Sequence, residues 1–229
     1  MTTRITGISS MATREVLAEL AGAYLQRSGI VVEFESVGGV DAAKRVLAGE
    51  LFDVVVLADD AIDNLVATGR VVADSKTDLV RSGVGIAVRE GSVRPDIGSE
   101  DMLRHAVLSA RTIGYSTGPS GVALTKLFER WGIADTVSNR TVQAPPGVPV
   151  GQLVASGEVE LGFQQLSELT HLPGIVVLGT MPLGCEIVTT FSAGMCTTSA
   201  QPEAVRALLA FMHSPAVVDA KRLHDMEPA

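Results

Sequence analysis

Three junctions in the sequence are rich in serine and glycine, and each lies between an apolar run and a helix-like run. They are residues 7–12 (GISSMA), residues 36–41 (SVGGVD) and residues 116–121 (STGPSG). Hydroxyl groups and the free N–H groups of a helix start can bind an anion without a buried positive charge. Ordinary helix capping uses the same residue types. Repetition of the pattern makes an anion-binding site as good an interpretation of these junctions as capping.

A fourth junction carries two consecutive amides, Gln164 and Gln165, after the strand-like residues 159–162 (VELG). The carboxyl ends of parallel strands lie along one edge of a sheet, so the four junctions are expected to converge on one crevice. At the third junction, Pro119 is predicted to fix the helix start, and Gly118 and Gly121 to let a ligand approach the backbone. The candidate ligand-binding residues are Ser9, Ser10, Gly38, Gly39, Arg81, Ser116, Thr117, Ser120, Gly121, Gln164 and Gln165.

Two charged positions have alternative interpretations. Asp59 and Asp60 follow the buried-strand pattern of residues 52–57 (FDVVVL) and can cap the next helix, or Asp59 can act as a proton acceptor in the crevice. Asp59 is therefore the candidate catalytic residue. Arg81 precedes the strand-like residues 83–88 (GVGIAV) and can bind a carboxylate through both nitrogens, or lie on the surface as an ordinary exposed cation.

Other chemistries lack their sequence patterns. The four histidines, at positions 105, 171, 213 and 224, are scattered, so we expect no metal site. The G-x-S-x-G elbow of hydrolases and the lysine-containing phosphate loop are absent. A G-x-G-x-x-G run with an acidic residue downstream is absent too, so we expect no cofactor.

Alternating strand-like and helix-like runs predict an α/β fold with a largely parallel sheet. The runs form two series, which suggests two lobes, with residues 1–83 and 190–229 in lobe 1 and residues 84–189 in lobe 2. Two crossings, near residues 83–88 and 187–192, would form a hinge. The ligand would then bind in the cleft between the lobes.

The composition and charge of the chain argue against some classes of binding partner. A chain of 229 residues with a formal net charge of −8 is a poor match for nucleic acid or an anionic membrane. No run has the roughly 20 apolar residues of a membrane span. No secretory signal is evident, which predicts a cytoplasmic protein, or a periplasmic one if a signal was removed. Cys185 and Cys196 are expected to be reduced core residues, with a disulfide between them as the lesser alternative. The protein is expected to be a monomer or dimer.

Nearly the whole chain resembles the type 2 periplasmic binding proteins, in particular the molybdate-binding family. The resemblance is carried by residues 5–39, by the run AGELFDVVVLAD followed by a short helix, and by residues 192–216. It implies two α/β lobes joined by two hinge strands, with an oxyanion held between helix N-termini. By position, Ser10 matches the family's ligand serine, and Ser120 with Gly121 lies near its backbone-donating turn.

Two departures from the family pattern put molybdate itself in doubt. Gly38 and Gly39 replace a serine cluster, and GFQQ stands where the family commonly has a tyrosine. The run GFQQLSEL is closer to relatives without signal peptides, which include aconitate-isomerase-like proteins. The resemblance therefore implies a small anionic ligand, either a di- or tricarboxylate or an oxyanion. The leading hypothesis is an isomerase that shifts an allylic proton of an aconitate-like polycarboxylate.

Two alternatives do not require catalysis. One is an oxyanion-binding protein that serves an ABC transporter or acts as an anion sensor. The other is a ligand-sensing domain detached from a DNA-binding regulator, which is disfavoured because no helix-turn-helix segment accompanies it.

Overall fold

The computed structural model describes residues 3–229, which form ten strands and ten α-helices. The strands are β1 (Arg4–Ser10), β2 (Val31–Val37), β3 (Val54–Ala58), β4 (Thr77–Arg89), β5 (Ile113–Tyr115), β6 (Thr141–Gln143), β7 (Leu161–Gln165), β8 (Ile175–Thr180), β9 (Val188–Met195) and β10 (Glu227–Pro228). The helices are α1 (Arg14–Ser28), α2 (Gly39–Leu47), α3 (Asp59–Ala67), α4 (Glu100–Ser109), α5 (Pro119–Arg130), α6 (Ala134–Val137), α7 (Val150–Ser156), α8 (Leu166–Leu169), α9 (Pro202–His213) and α10 (Val218–Leu223).

The chain folds into two compact units. Unit 1 contains the chain up to Ser82 together with Thr190–Ala229, and unit 2 contains Gly83–Thr189. Strands β4 and β9 each begin in one unit and end in the other, so the chain passes between the units twice.

In unit 1, β1 is the centre of a parallel β2-β1-β3 arrangement, and β9 joins antiparallel to β3. Side chains alternate across β3: Val54 and Val56 pack in a core with α1 and α9, while Val55 and Leu57 pack in a second core with α2 and α3. A strand buried on both faces reads as a continuous apolar run, which explains the sequence VVVLA. The parallel order also brings the carboxyl ends of β1, β2 and β3 to one edge.

In unit 2, β5 pairs in parallel with β6 and β7, while β7 and β8 each pair antiparallel with β4. One face of this sheet is covered by α4 and α5, whose apolar side chains form a core with Phe163 and the β4 residues Val84 and Ile86. A smaller core lies under α7. The carboxyl ends of β5, β6 and β7 therefore share an edge, as they do for β1 to β3 in unit 1.

Local signals determine several element ends. Helix α1 ends at Gly29, whose φ of 72° is the left-handed conformation that glycine adopts freely, and α9 begins at Pro202. Pro215 begins a 3₁₀ turn, Pro215–Val217, and α10 starts only after that turn, at Val218. A 3₁₀ turn, Met11–Thr13, leads directly into α1. The short strand β10, which pairs antiparallel with β4, was not predicted.

Both cysteines are buried, which confirms the predicted core positions, and they form no disulfide. Burial raises the pKa of the Cys185 thiol to about 11 and that of Cys196 to about 12. Within residues 3–229, the helices are all too short or too polar to cross a membrane.

Candidate anion-binding site

The carboxyl edge of the unit 1 sheet carries a pair of hydrogen-bonded serines. Ser9 and Ser36 lie opposite each other in the β1-β2 register, and their Oγ atoms are 2.8 Å apart. Ser9 is fully buried, whereas Ser36 is partly exposed. Ser36 was missed as a candidate, although the equal position of the two serines at the ends of adjacent strands was a usable signal. Ser9 Oγ can also donate to the carbonyl oxygen of Ser10, which is 3.3 Å away.

Ser10 and the start of α2 lie side by side. Ser10 Oγ accepts a hydrogen bond from Ala12 N at 3.3 Å, so this serine caps the 3₁₀ turn as the capping alternative expected. A side chain at Gly39 would come within 3.7 Å of Ser10 Oγ, and Gly38 is the N-cap of α2. The first N–H groups of a helix have no partner within that helix. Ser10 and the start of α2 thus combine a hydroxyl with backbone donors and no cation.

Asp59 is the first residue of α3, with Ala58 as the N-cap. Of the two aspartates, it is Asp60 whose Oδ1 accepts a backbone N–H, that of Ala61, at 2.8 Å. Asp59 is partly exposed at the carboxyl end of β3. One cation is nearby: the pKa of Lys76 is raised mainly by its hydrogen bond to Asp63, and the carboxylate of Asp59 adds to the effect. A proton-accepting role for Asp59 is chemically open to it.

Arg81 has a local structural partner. Its side chain is exposed, and its Nη2 donates to the carbonyl oxygen of Pro228 at 3.1 Å. The β4-β10 register places Arg81 opposite Glu227. No hydrogen bond in the described part of the chain joins Arg81 to another candidate residue, so its contacts fit the ordinary surface alternative.

In unit 2, the predicted serine and glycine junction forms the start of α5. Pro119 is the first helical residue, as predicted, and Gly118 is the N-cap. The hydroxyls of Ser116 and Ser120 are 3.0 Å apart, and Ser120 is 5% exposed. Thr117 lies in the same loop and is partly exposed. This is the second place where two serine hydroxyls are hydrogen-bonded at the carboxyl end of a parallel strand.

Gly121 serves a different purpose from the one expected. A Cβ atom there would lie 1.9 Å from the carbonyl oxygen of Ser116, and the Gly121 N–H donates to the carbonyl oxygen of Gly118 at 3.0 Å. The close approach that requires glycine is therefore made by the chain itself. Gly121 shapes the loop that holds Ser116, and its own N–H is already used.

The two glutamines at the end of β7 differ in their partners. Gln164 Oε1 accepts from Gly151 N at 3.4 Å, and its Nε2 donates to Glu168 at 2.9 Å. Gln165 Nε2 donates to Thr189 Oγ1 at 2.7 Å, but Gln165 Oε1 is buried with no hydrogen-bond partner among the described residues. Gln164 is therefore engaged within the fold, whereas Gln165 keeps an unused acceptor. Thr189 could not be found from local sequence, because it lies on a distant strand.

The polar residues at the carboxyl ends of the parallel strands form two sets, one in each unit, and Thr189 joins the second set from the start of β9 through its hydrogen bond to Gln165. The unit 1 edge consists of Ser9, Ser10, Ser36, Gly38, Gly39 and Asp59, and the unit 2 edge of Ser116, Thr117, Ser120, Gln165 and Thr189. In residues 3–229, histidine, cysteine and acidic side chains nowhere come together in a group of three or more that could hold a metal ion.

Two α/β units linked by two strands, β4 and β9, form a fold that solved structures of type 2 periplasmic binding proteins share. The periplasmic molybdate-binding protein of Azotobacter vinelandii matches with a TM-score of 0.80 and 19% identity, covering 97% of this chain and 98% of that chain. The substrate-binding domain of a putative molybdenum ABC transporter from Clostridium difficile matches with a TM-score of 0.76 and 14% identity, covering 100% of both chains. The sulfate-binding protein SubI from Mycobacterium tuberculosis H37Rv matches at 0.79 and 16%, covering 99% of this chain and 87% of that chain. These likenesses confirm the predicted fold class.

The chain belongs to the bacterial extracellular solute-binding protein family, whose model matches residues 5–224. A curated relative, the aconitate isomerase of a Pseudomonas species, is 38% identical over 218 residues, which cover 93% of this chain and 83% of the relative. The resemblance inferred from the sequence is therefore confirmed.

Proposed function

We propose that this protein binds a small polycarboxylate and isomerises it by an allylic proton shift, as an aconitate isomerase does. The observation that carries the proposal is the 38% identity to an aconitate isomerase, which extends over 93% of the chain. The residues of the two edges support it, because hydroxyls and helix-start N–H groups suit carboxylate groups.

The proposed reaction moves one proton and one double bond within the substrate. The methylene carbon of the substrate loses a proton, the double bond moves by one position, and the former vinyl carbon gains a proton. Negative charge develops on the adjacent carboxylate as the first C–H bond breaks, and fixed donors aimed at that carboxylate stabilise it. The atoms balance within the substrate, so no oxidant, reductant or leaving group is involved.

A base must carry the proton between the two carbons. Asp59 is our candidate, since it is the acidic residue of the unit 1 edge and its carboxylate makes no helix-capping hydrogen bond among the described residues. Its position after β3 puts it at the same end of the parallel strands as Ser9 and Ser10.

A second function uses the same residues without a base. Reversible binding of a tetrahedral oxyanion needs only neutral donors, and the hydrogen-bonded pairs Ser9–Ser36 and Ser116–Ser120 supply such donors. Molybdate and sulfate are the natural probes of this alternative.

The two functions separate in one experiment. Trans-aconitate is incubated with the protein in deuterated water and followed by proton NMR. We expect conversion to cis-aconitate with deuterium entering the methylene position. Thermal unfolding is measured in parallel with tricarboxylate, molybdate and sulfate, and we expect the tricarboxylate to raise the melting temperature most. Tight molybdate binding without any response to carboxylates would refute the isomerase proposal.

Serine variants test the residues. Ser10→Ala and Ser120→Ala each remove one hydroxyl donor, and we expect each to weaken tricarboxylate binding by roughly tenfold, the value of one hydrogen bond to a charged group. Ser92→Ala, at an exposed serine outside both edges, is the matched control. Unchanged affinity in both edge variants would show that the ligand binds elsewhere.

A further inference from the structure

Gln165 presents an unused hydrogen-bond acceptor in a buried position. The residue is 3% exposed and ends β7, and its Nε2 donates to Thr189 Oγ1 at 2.7 Å. Its Oε1 has no partner among the described residues. A buried acceptor left unpaired costs about 1–3 kcal/mol, so a hydrogen-bond donor from outside the fold, either a water molecule or a ligand, is expected to pair with it.

The Gln165 side chain shares a face and an edge of the sheet with the start of α5. Alternate residues of a strand project to the same face, so Gln165 lies on the face of Phe163. That face is covered by α5, whose Phe128 ring meets the Phe163 ring edge-on with centroids 6.5 Å apart. Because β5 and β7 are parallel and α5 follows β5, the helix start lies at the edge where β7 ends.

This edge therefore offers two kinds of hydrogen-bonding group. The Ser116 and Ser120 hydroxyls and the first turn of α5 are donors suited to an ionised carboxylate. Gln165 Oε1 accepts only, and an ionised carboxylate also only accepts, so the two would repel. A carboxyl group that has kept its proton can donate its O–H to Gln165.

Among the described residues, no charged group of the neighbouring elements donates a hydrogen bond to Gln165 Oε1. Glu186 is next to Ile187, whose carbonyl oxygen accepts from Val84 N, and its own carboxylate accepts from Gly184 N. Glu168 on α8 accepts from Gln164 on the opposite face, and no titratable residue occurs in β8 or β9. On β4, Asp78, Arg81 and Arg89 lie at least three residues from Val84, which pairs with Gln165. Tyr115 is the last residue of β5. The charged residues of α5, which are Lys126, Glu129 and Arg130, lie about two helical turns or more from its first residue. None of these groups is hydrogen-bonded to Gln165 within the described residues.

We propose that the unit 2 edge binds its polycarboxylate with one carboxyl group protonated, and that this group donates its O–H to Gln165 Oε1. The inference rests on the proposed function, which supplies a polycarboxylate as the ligand. Repulsion between the carboxylates of one small molecule raises the pKa of its last carboxyl group, so the singly protonated form is populated close to neutral pH. A fully deprotonated oxyanion has no proton to donate, and the same acceptor therefore selects against it.

The test measures protons taken up on binding. Propane-1,2,3-tricarboxylate, which lacks a double bond and cannot isomerise, is titrated calorimetrically into the protein near neutral pH in buffers of different ionisation enthalpy. We expect uptake of close to one proton per ligand. We also expect the affinity to fall by about tenfold per pH unit above the last ionisation of the ligand. Binding without proton uptake by the unaltered protein would overturn the proposal, whatever the variants do.

Two variants assign the effect to Gln165. Gln165→Met keeps the length of the side chain but removes the acceptor, and we expect proton uptake to disappear and the affinity to drop about tenfold. Gln152→Met makes the same change at an exposed glutamine of α7 and is expected to leave uptake and affinity unchanged. Near-ultraviolet circular dichroism checks that both variants are folded. Full proton uptake in a folded Gln165→Met protein would refute the assignment.

Failure of this inference and failure of the proposed function give different results. Turnover of trans-aconitate without proton uptake on tricarboxylate binding would overturn the inference alone. Proton-linked tricarboxylate binding without any turnover would overturn the isomerase and leave the inference in place.

Discussion

Replacing Gly121 with alanine tests whether the Ser116 loop is held by a steric requirement. The new Cβ would lie 1.9 Å from the Ser116 carbonyl oxygen, whereas real Cβ contacts essentially never fall below 3.0 Å. The loop must therefore move by about 1 Å, which strains the close packing and breaks the 3.0 Å hydrogen bond between Ser116 and Ser120. Helix propensity acts in the opposite direction, because alanine is favoured over glycine by up to about 1 kcal/mol in a helix. The two effects thus predict opposite signs.

We expect the steric effect to win and Gly121→Ala to lower the free energy of unfolding by about 2–3 kcal/mol. Urea unfolding followed by circular dichroism measures this, and calorimetry with tricarboxylate measures the accompanying loss of affinity. Gly118→Ala is the matched control: its φ of −81° suits any residue, and the nearest atom to its new Cβ is 3.8 Å away. We expect that control to stay within about 1 kcal/mol of the unaltered protein. Equal stabilities for the two variants would refute the reasoning.

Two further predictions concern charged groups. Asp59→Asn is expected to lower the isomerisation rate by at least about 100-fold while tricarboxylate binding persists. Asp60→Asn is the control and is expected to keep the rate. Equal rates in the two variants would exclude Asp59 as the base. Lys221 is buried, its Nζ donates to the Leu79 carbonyl oxygen at 2.8 Å, and burial lowers its pKa. Between the lowered pKa of the folded state and the ordinary lysine pKa of about 10.4, the unfolded chain binds more protons than the folded chain. The contribution of Lys221 to stability therefore rises with pH across that interval. Lys221→Met should abolish that pH dependence and leave the free energy of unfolding near neutral pH unchanged or up to about 1 kcal/mol higher. Urea unfolding at several pH values measures both effects. A loss of more than about 2 kcal/mol would contradict this prediction.

Features set by neighbouring residues were predictable from the sequence. Gly29 ends α1 and Pro119 begins α5 because their backbone preferences act locally, and the apolar run of β3 indicated a strand buried on both faces. Such signals predicted the α/β class and the strand-to-helix junctions, because each depends on only a few consecutive residues.

Features set by distant residues were not predictable. The Gln165–Thr189 hydrogen bond joins two strands separated in sequence, and β10 depends on pairing with β4. The close contact of Gly121 with Ser116 depends on the detailed path of the loop, which no spacing rule gives. Which of two adjacent glutamines keeps an unused oxygen was likewise decided by packing against α7 and β9.

The discontinuity of unit 1 has a consequence for protein synthesis. Strand β3 ends at Ala58, but its antiparallel partner β9 begins at Val188, about 130 residues later. At translation rates of about 5–20 residues per second, the β9 side of β3 lacks its native partner for on the order of ten seconds. An unpaired apolar strand edge is a template for aggregation, so β3 is exposed to mispairing during that interval. Unit 2 is one uninterrupted segment, Gly83–Thr189, and can complete its own sheet on the ribosome first.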